Sequence, residues 1–253
     1  MPTVLVSGDF DDMRSRQIRL LQEAGKLGKV HVHLWPENAA HPTKFPLAER
    51  RYLLESIRYV DSITVADTLP AADIWVVDEV NDTADSRARA AASGLKYRVI
   101  KASELVGFPL PATTPSAGKK VIVTGCYDWF HSGHVRFFEE VSQLGDLYVV
   151  IGSDANVRLL KGDGHPLFPQ DERRYVVGAV RCVKQCLIST GTGWLDAEPE
   201  IELIKPDIYA VNEDGDKPEK RGYCEQHGIR YVVLKRTPKD GLLRRTSTNL
   251  RGF

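Results

Sequence analysis

His131 and His134 stand three residues apart with Ser132 and Gly133 between them. Just before them, 121–124 reads Val-Ile-Val-Thr, the apolar run of a buried strand, and Gly125 follows as a turn residue. Beyond them Val135, Phe137, Phe138, Val141 and Leu144 recur at helical spacing. The spacing predicts a strand, a glycine turn and a helix opening near Ser132. The first turn of such a helix carries backbone N–H groups without partners and the positive end of its dipole. Gly133 leaves room for a bulky anion beside the main chain, and two imidazoles can donate to that anion. Together these features make a phosphate site. A lone histidine at a helix start is usually a cap or a surface residue. The His-x-Gly-His spacing directly behind a strand favours the phosphate reading.

Other residues extend that chemistry. Lys161 lies in Leu-Leu-Lys-Gly-Asp-Gly and can pair with a nonbridging oxygen, although a loop lysine is often merely solvated. Pro169-Gln-Asp-Glu-Arg-Arg174 opens a helix, and Arg173, Arg174 and Arg181 could clamp a polyphosphate, although the first copy keeps Arg50, Arg51 and Arg58 without the histidines, which favours a partly structural role. Asn212-Glu-Asp-Gly-Asp216 follows a strand end. Asn212 and Asp214 there are candidates to read a base or to help hold Mg²⁺ with the phosphates. The tail places Arg245, Thr246, Ser247 and Thr248 at a predicted helix start, a second anion site or a simple cap. Thr124, Gly125, Cys126, Tyr127 and Asp128 complete the turn that would face a nucleotide.

These residues need elements to hold them. From 119 onward strands alternate with helices: strands at 119–124, 147–151, 185–188, 207–211 and 230–234, helices at 132–144, 171–182, 198–204 and 217–227. The stretch 152–170 reads as one long loop. Alternation of this kind gives a parallel α/β sheet flanked by helices, with ligands bound beyond the carboxyl ends of the strands. Gly125, Gly152, Asn212 and Lys235 all fall at such ends and should share one cleft. Lys+Arg and Asp+Glu number 34 each, so no overall charge points to nucleic acid or a membrane surface. The start shows no signal peptide, no run is long enough to span a bilayer, and four cysteines without a Cys-x-x-Cys pair read as reduced thiols. A cytoplasmic setting is expected.

The chain also repeats itself. Shifted by 117 residues, 4–34 falls on 121–151 with 10 of 31 positions identical, among them Gly8 on Gly125 and Asp11 on Asp128. A shift of 123 lays Glu49-Arg-Arg-Tyr52 on Glu172-Arg-Arg-Tyr175, and one of 134 lays Asp73-Ile74 on Asp207-Ile208. Collinear blocks mean a tandem duplication. The segment 107–118 is rich in proline and free of charge, a linker. The expected layout is a first copy at 1–106, that linker, and a second copy at 119–253. His131, Gly133 and His134 correspond to Arg14, Arg16 and Gln17. The first copy is expected to be a scaffold without the reaction.

Taken together, Gly125-x-Tyr-Asp-x-x-His-Ser-Gly-His134, Gly152-Ser-Asp154, Lys161, Pro169-x-x-Glu-Arg173 and the Thr246-Ser-Thr-x-Leu-Arg251 tail resemble the nucleotidyltransferase superfamily. Within it they resemble the cytidylyltransferases that activate glycerol-3-phosphate, ethanolamine-phosphate and choline-phosphate. The resemblance implies two tandem Rossmann-like units. It implies transfer of CMP from CTP to a small phosphorylated alcohol or phosphonate, with Mg²⁺ and with pyrophosphate released. It makes His131 and His134 contacts to the α- and β-phosphates, Lys161 a contact to the phosphates in transfer, and 246–248 binders of the outer phosphates. The tandem layout is similar to ethanolamine-phosphate cytidylyltransferases, in which both copies keep the histidines. An intramolecular pseudo-dimer and a homodimer both fit the repeat. Adenylyl transfer from ATP and nucleotide binding without catalysis are the alternatives.

Overall fold

The computed structural model describes residues 1–37, 42–246 and 250. Two compact units are present, Met1–Phe108 and Pro109–Phe253. The first contains β1 (Thr3–Gly8), α1 (Ser15–Gly25), β2 (Lys29–Leu34), α2 (Leu47–Ser56), β3 (Ser62–Val65), β4 (Ile74–Asp78), α3 (Ala84–Ala92) and β5 (Lys96–Ile100). The second contains β6 (Lys120–Gly125), α4 (Ser132–Ser142), β7 (Asp146–Ile151), α5 (Asp154–Lys161), α6 (Gln170–Gly178), β8 (Val183–Ile188), α7 (Glu198–Ile204), β9 (Ile208–Asn212), α8 (Pro218–Gln226) and β10 (Arg230–Leu234).

Each unit is a five-stranded sheet, ordered β3-β2-β1-β4-β5 in the first and β8-β7-β6-β9-β10 in the second. Every strand pair is parallel. These are two Rossmann-like α/β units with one topology. The strand order reverses between β1 and β4 and again between β6 and β9, where such sheets open a crevice at their carboxyl ends. The repeat is exact in several elements: 120 − 3 and 125 − 8 both give 117 for β6 on β1, while 218 − 84 and 226 − 92 both give 134 for α8 on α3.

The second sheet is buried on both faces, which explains its unbroken apolar strands. Val121, Val123, Val149 and Ile151 face Phe138 and Val141 of α4 and Val177 of α6. The alternate residues Ile122, Tyr148, Val150, Tyr209 and Val211 face Ile201 and Ile204 of α7 and Tyr223 and Cys224 of α8. So α4 and α8 lie on opposite faces of the sheet.

Two expectations are corrected. The stretch 152–170 is not one loop, because α5 occupies its first half. Ser153 caps that helix by accepting from Asn156 N (3.2 Å), and Gly162 ends it at φ +83°. Lys161 is therefore a helix's last residue, not part of a glycine-rich loop. The helix expected at 171–182 stops at Gly178, and Val183 already begins β8. All four cysteines are free thiols. No helix among the described residues is long and apolar enough to cross a membrane.

Candidate active site

The turn after β6 is built by buried polar clamps. Asp128 Oδ1 accepts from Leu167 N (2.7 Å) and Phe168 N (3.0 Å). Arg173, 2% exposed, spends its guanidinium on carbonyls: Nε to Phe168 O (2.9 Å), Nη1 to Cys126 O (2.7 Å), Nη2 to Gly152 O (2.8 Å). Nη2 also donates to Asp154 Oδ1 (2.7 Å). The first unit repeats both devices. Asp11 accepts from Lys44 N and Phe45 N, and Arg50 donates to Phe45 O, Asp9 O and Trp35 O. Asp128 and Arg173 were candidates to touch nucleotide. Their polar atoms hold the loop here, the structural role that the retained Arg50 already favoured for Arg173.

Tyr127 sits at φ +51°, as its counterpart Phe10 does at φ +48°. A Cβ on Gly125 would stand 2.9 Å from the Tyr127 ring, so the glycine makes room for that aromatic. Tyr127 then packs edge-on against His134 (centroids 5.1 Å), and Phe130 stacks on the same imidazole (5.5 Å). His134 is held by aromatics before any ligand arrives.

The two histidines are not equivalent. Their rings stack at 3.9 Å with 22° between planes. His134 lines the cleft, while His131, 1% exposed, lies behind it. His131 is the N-cap of α4, and its Nδ1 accepts from Gly133 N (3.1 Å), which leaves the proton on Nε2. His131 Nε2 and His134 Nδ1 are buried without hydrogen-bond partners. Burial, and then the charges of Arg236 and Arg245, pushes the His131 pKa down to about 3. Burial and the neighbouring His131 hold His134 well below its ordinary value. The pair is thus neutral near pH 7, a set of N–H donors rather than cations. A Cβ on Gly133 would fall 2.9 Å from the His131 ring, so this glycine makes space for the imidazole as well as for an anion.

A cavity of about 530 Å³ opens over the ends of β6 and β9. Thr124, Gly125, Cys126, Tyr127, Asp128, His134, Lys161, Asn212, Asp214 and Thr246 all line it, so the structure gathers most of the sequence candidates. Thr124 Oγ1 and the Tyr209 hydroxyl bond at 2.6 Å on its floor. Burial raises the Cys126 thiol pKa, while the nearby Lys161 and Arg173 pull it partly back. Asn212 Oδ1 is buried and unpartnered. Gly152 and Lys235 do not line this cavity. Lys235, Gly133 and Arg245 line a small adjoining recess. Ser247 and Thr248 lie outside the described residues.

Two cavity residues escaped the sequence reading. Arg236 forms an ion pair with Asp214 and donates to Arg245 O (3.3 Å), bringing a guanidinium beside the histidines. Its position just past β10 was the available signal. Lys220, in the first turn of α8, had none within its own segment.

In the first unit the counterparts of these residues are bonded to one another. Arg16, in the place of Gly133, donates from Nε (3.1 Å) and Nη2 (2.9 Å) to Asp78, which stands where Asn212 does. Arg14, in the place of His131, pairs with Asp12 at 2.6 Å. Gln17, in the place of His134, accepts from Arg14 N (3.0 Å). The scaffold is kept while the donors are replaced by a self-satisfied ion pair.

No three His, Cys, Asp or Glu side chains among the described residues come together as a metal set. The carboxylates on the cavity wall are already engaged, Asp128 by main-chain N–H groups and Asp214 by Arg236.

A helix N-terminus, neutral imidazoles and basic side chains around one cavity are the donors that a polyphosphate-binding site needs. Residues 122–234 match the Cytidylyltransferase-like family. The FAD synthase of Ferroglobus placidus is 36% identical over 125 residues, covering 48% of this chain and 78% of its own. The bifunctional protein HldE of Nitratiruptor sp. is 37% identical over 100 residues, covering 38% of this chain but 21% of its own, and that of Pelobacter propionicus is 37% identical over 102 residues, 38% and 20%. This chain thus spans about a fifth of the HldE proteins it matches. The chain belongs to the cytidylyltransferase-like family of nucleotidyltransferases.

Proposed function

We propose that the second unit transfers a nucleotidyl group from a nucleoside triphosphate to a small phosphorylated acceptor, releasing pyrophosphate. The observation that carries this is the neutral histidine pair at the start of α4, each ring with one buried nitrogen lacking a partner, beside a cavity large enough for a nucleotide. An oxygen of the acceptor's phosphate forms a bond to the α-phosphorus. The bond from that phosphorus to the bridging oxygen breaks, and its electron pair leaves with pyrophosphate. The acceptor is already an anion, so no side chain need remove a proton. What the protein supplies is position and charge stabilisation. His134 donates to the phosphates, His131 holds and backs it, and Lys161, Arg236 and Arg245 offset the polyphosphate charge. Thr246 to Thr248 serve the outer phosphates in this reading. Mg²⁺ enters with the triphosphate as part of the substrate, which fits a cavity whose carboxylates are already paired.

ATP is the donor we favour, because the relative aligned over most of its own length is named FAD synthase, a product that contains adenine. CTP with a phosphorylated alcohol or phosphonate is the second reading, supported by the sequence motifs and by the family's description. Pyrophosphate release measured with ATP and with CTP across a panel of phosphate esters separates them. Release with ATP and an acceptor, and none with CTP, is expected. No release with any triphosphate and acceptor would refute both.

A further inference from the structure

Comparing the two copies position by position singles out a lysine. The scaffold pairs are kept: Asp216 and Arg221 repeat Asp82 and Arg87, each with the same two-pronged bond, and Tyr231 repeats Tyr97 in donating to the carboxylate. Four site residues change together: His131, Gly133, His134 and Asn212 become Arg14, Arg16, Gln17 and Asp78. Lys220 changes with them. Its counterpart is Ser86, since 220 − 134 = 86, and Ser86 turns inward to cap its own helix with Thr83. Lys220 thus differs along with those four, while the Asp216–Arg221–Tyr231 group beside it is kept.

Its surroundings agree. The Lys220 side chain lines the 530 Å³ cavity from α8, on the face of the sheet opposite α4. Its Nζ sits 5.8 Å over the Tyr209 ring and reaches Gly215 O at 3.5 Å. It forms no ion pair among the described residues. Burial lowers its pKa, and the more distant Asp196 is the first charge to raise it again. A charge so placed calls for an anionic partner.

In-line displacement requires the attacking and leaving groups on opposite sides of the α-phosphorus. In the proposed reaction His134 and Arg236 meet the leaving pyrophosphate. We infer that Lys220 anchors the phosphate of the acceptor, on the opposite wall, and so selects a phosphorylated acceptor over a neutral alcohol. This rests on the nucleotidyl-transfer reading, and the test avoids turnover so that the two can fail separately.

Inorganic phosphate is titrated calorimetrically into full-length protein saturated with pyrophosphate. Wild type should bind phosphate, and Lys220→Met should weaken that binding by ~10-fold or more, the size of one charge-assisted hydrogen bond. Pyrophosphate affinity should stay within about twofold in the same variant, since other residues hold it. Lys220→Arg, which keeps the charge, should retain phosphate binding, and both variants should melt with wild type. The inference is overturned if pyrophosphate-loaded wild type takes up no phosphate, if Lys220→Met binds it as wild type does, or if Lys220→Met loses pyrophosphate equally.

Discussion

Two imidazoles stacked at 3.9 Å divide the labour between them. His134 meets the cavity, and His131 fixes the ring behind it while capping α4. His134→Ala should therefore lower kcat by ~10²–10³-fold, the typical worth of one oriented donor, with little change in thermal stability. His131→Ala removes a cap as well and should also cost about 1 kcal/mol of stability. His131→Asn, a good N-cap, should recover that stability and not the activity. Steady-state rates and urea midpoints on the three variants check this. An active His134→Ala enzyme would remove the pair from the chemistry. The same burial makes stability depend on pH. His131 titrates near 3 when folded and near 6.5 when unfolded, so between those values only the unfolded chain takes up the proton. Stability from this source is intact above pH ~6.5 and falls as pH drops towards 3, by ~2 kcal/mol at pH 5. Urea unfolding near pH 7.5 and near pH 5 should show a larger acid loss in wild type than in His131→Asn. Equal losses would contradict the assignment.

At the scale of elements, loops are set by residues that looked chemical in the sequence. Arg173 holds the carbonyls of Cys126, Gly152 and Phe168, which come from three different segments. Arg173→Met should destabilise the second unit by ~3 kcal/mol, because several buried oxygens lose their donor at once. Arg50→Met should do the same to the first unit, measured by urea unfolding of each variant. Loss of activity at unchanged stability would instead return Arg173 to the ligand. This is where the sequence was legible and where it was not. The apolar periods of β6, β7 and β9 located the strands, and a glycine turn before two histidines located the site. The retained Arg50 favoured a partly structural role for Arg173, but not which carbonyls it would hold, since a buried clamp and a phosphate ligand use the same donors. Helix α5 was hidden because Gly162 and Gly164 gave its neighbourhood the look of a loop. Lys220 and Arg236 reach the cavity from elements far along the chain, a juxtaposition that no local pattern records.

For the whole molecule, the two copies let one fold be compared with and without the two histidines. Both keep the positive-φ aromatic, Phe10 and Tyr127, and both keep the buried arginine, so these features are what the fold needs. The first unit places Arg16 where the second has Gly133 and pairs it with Asp78, whose side chain is 7% exposed. An anion entering there would have to break an ion pair already bonded through two nitrogens, whereas in the second unit it would meet unpartnered donors. One triphosphate should therefore bind per chain, and His134→Ala should silence the entire protein. Calorimetric titration with a non-hydrolysable triphosphate measures the stoichiometry, and Arg16→Gly combined with Asp78→Asn checks the reason for it. That double substitution removes the ion pair without restoring the histidines, so a second, weaker triphosphate site should appear while the rate stays that of wild type. Two sites of similar affinity in wild type would mean that the first crevice accepts nucleotide despite its ion pair. The division between a reacting copy and a supporting one would then have to be abandoned.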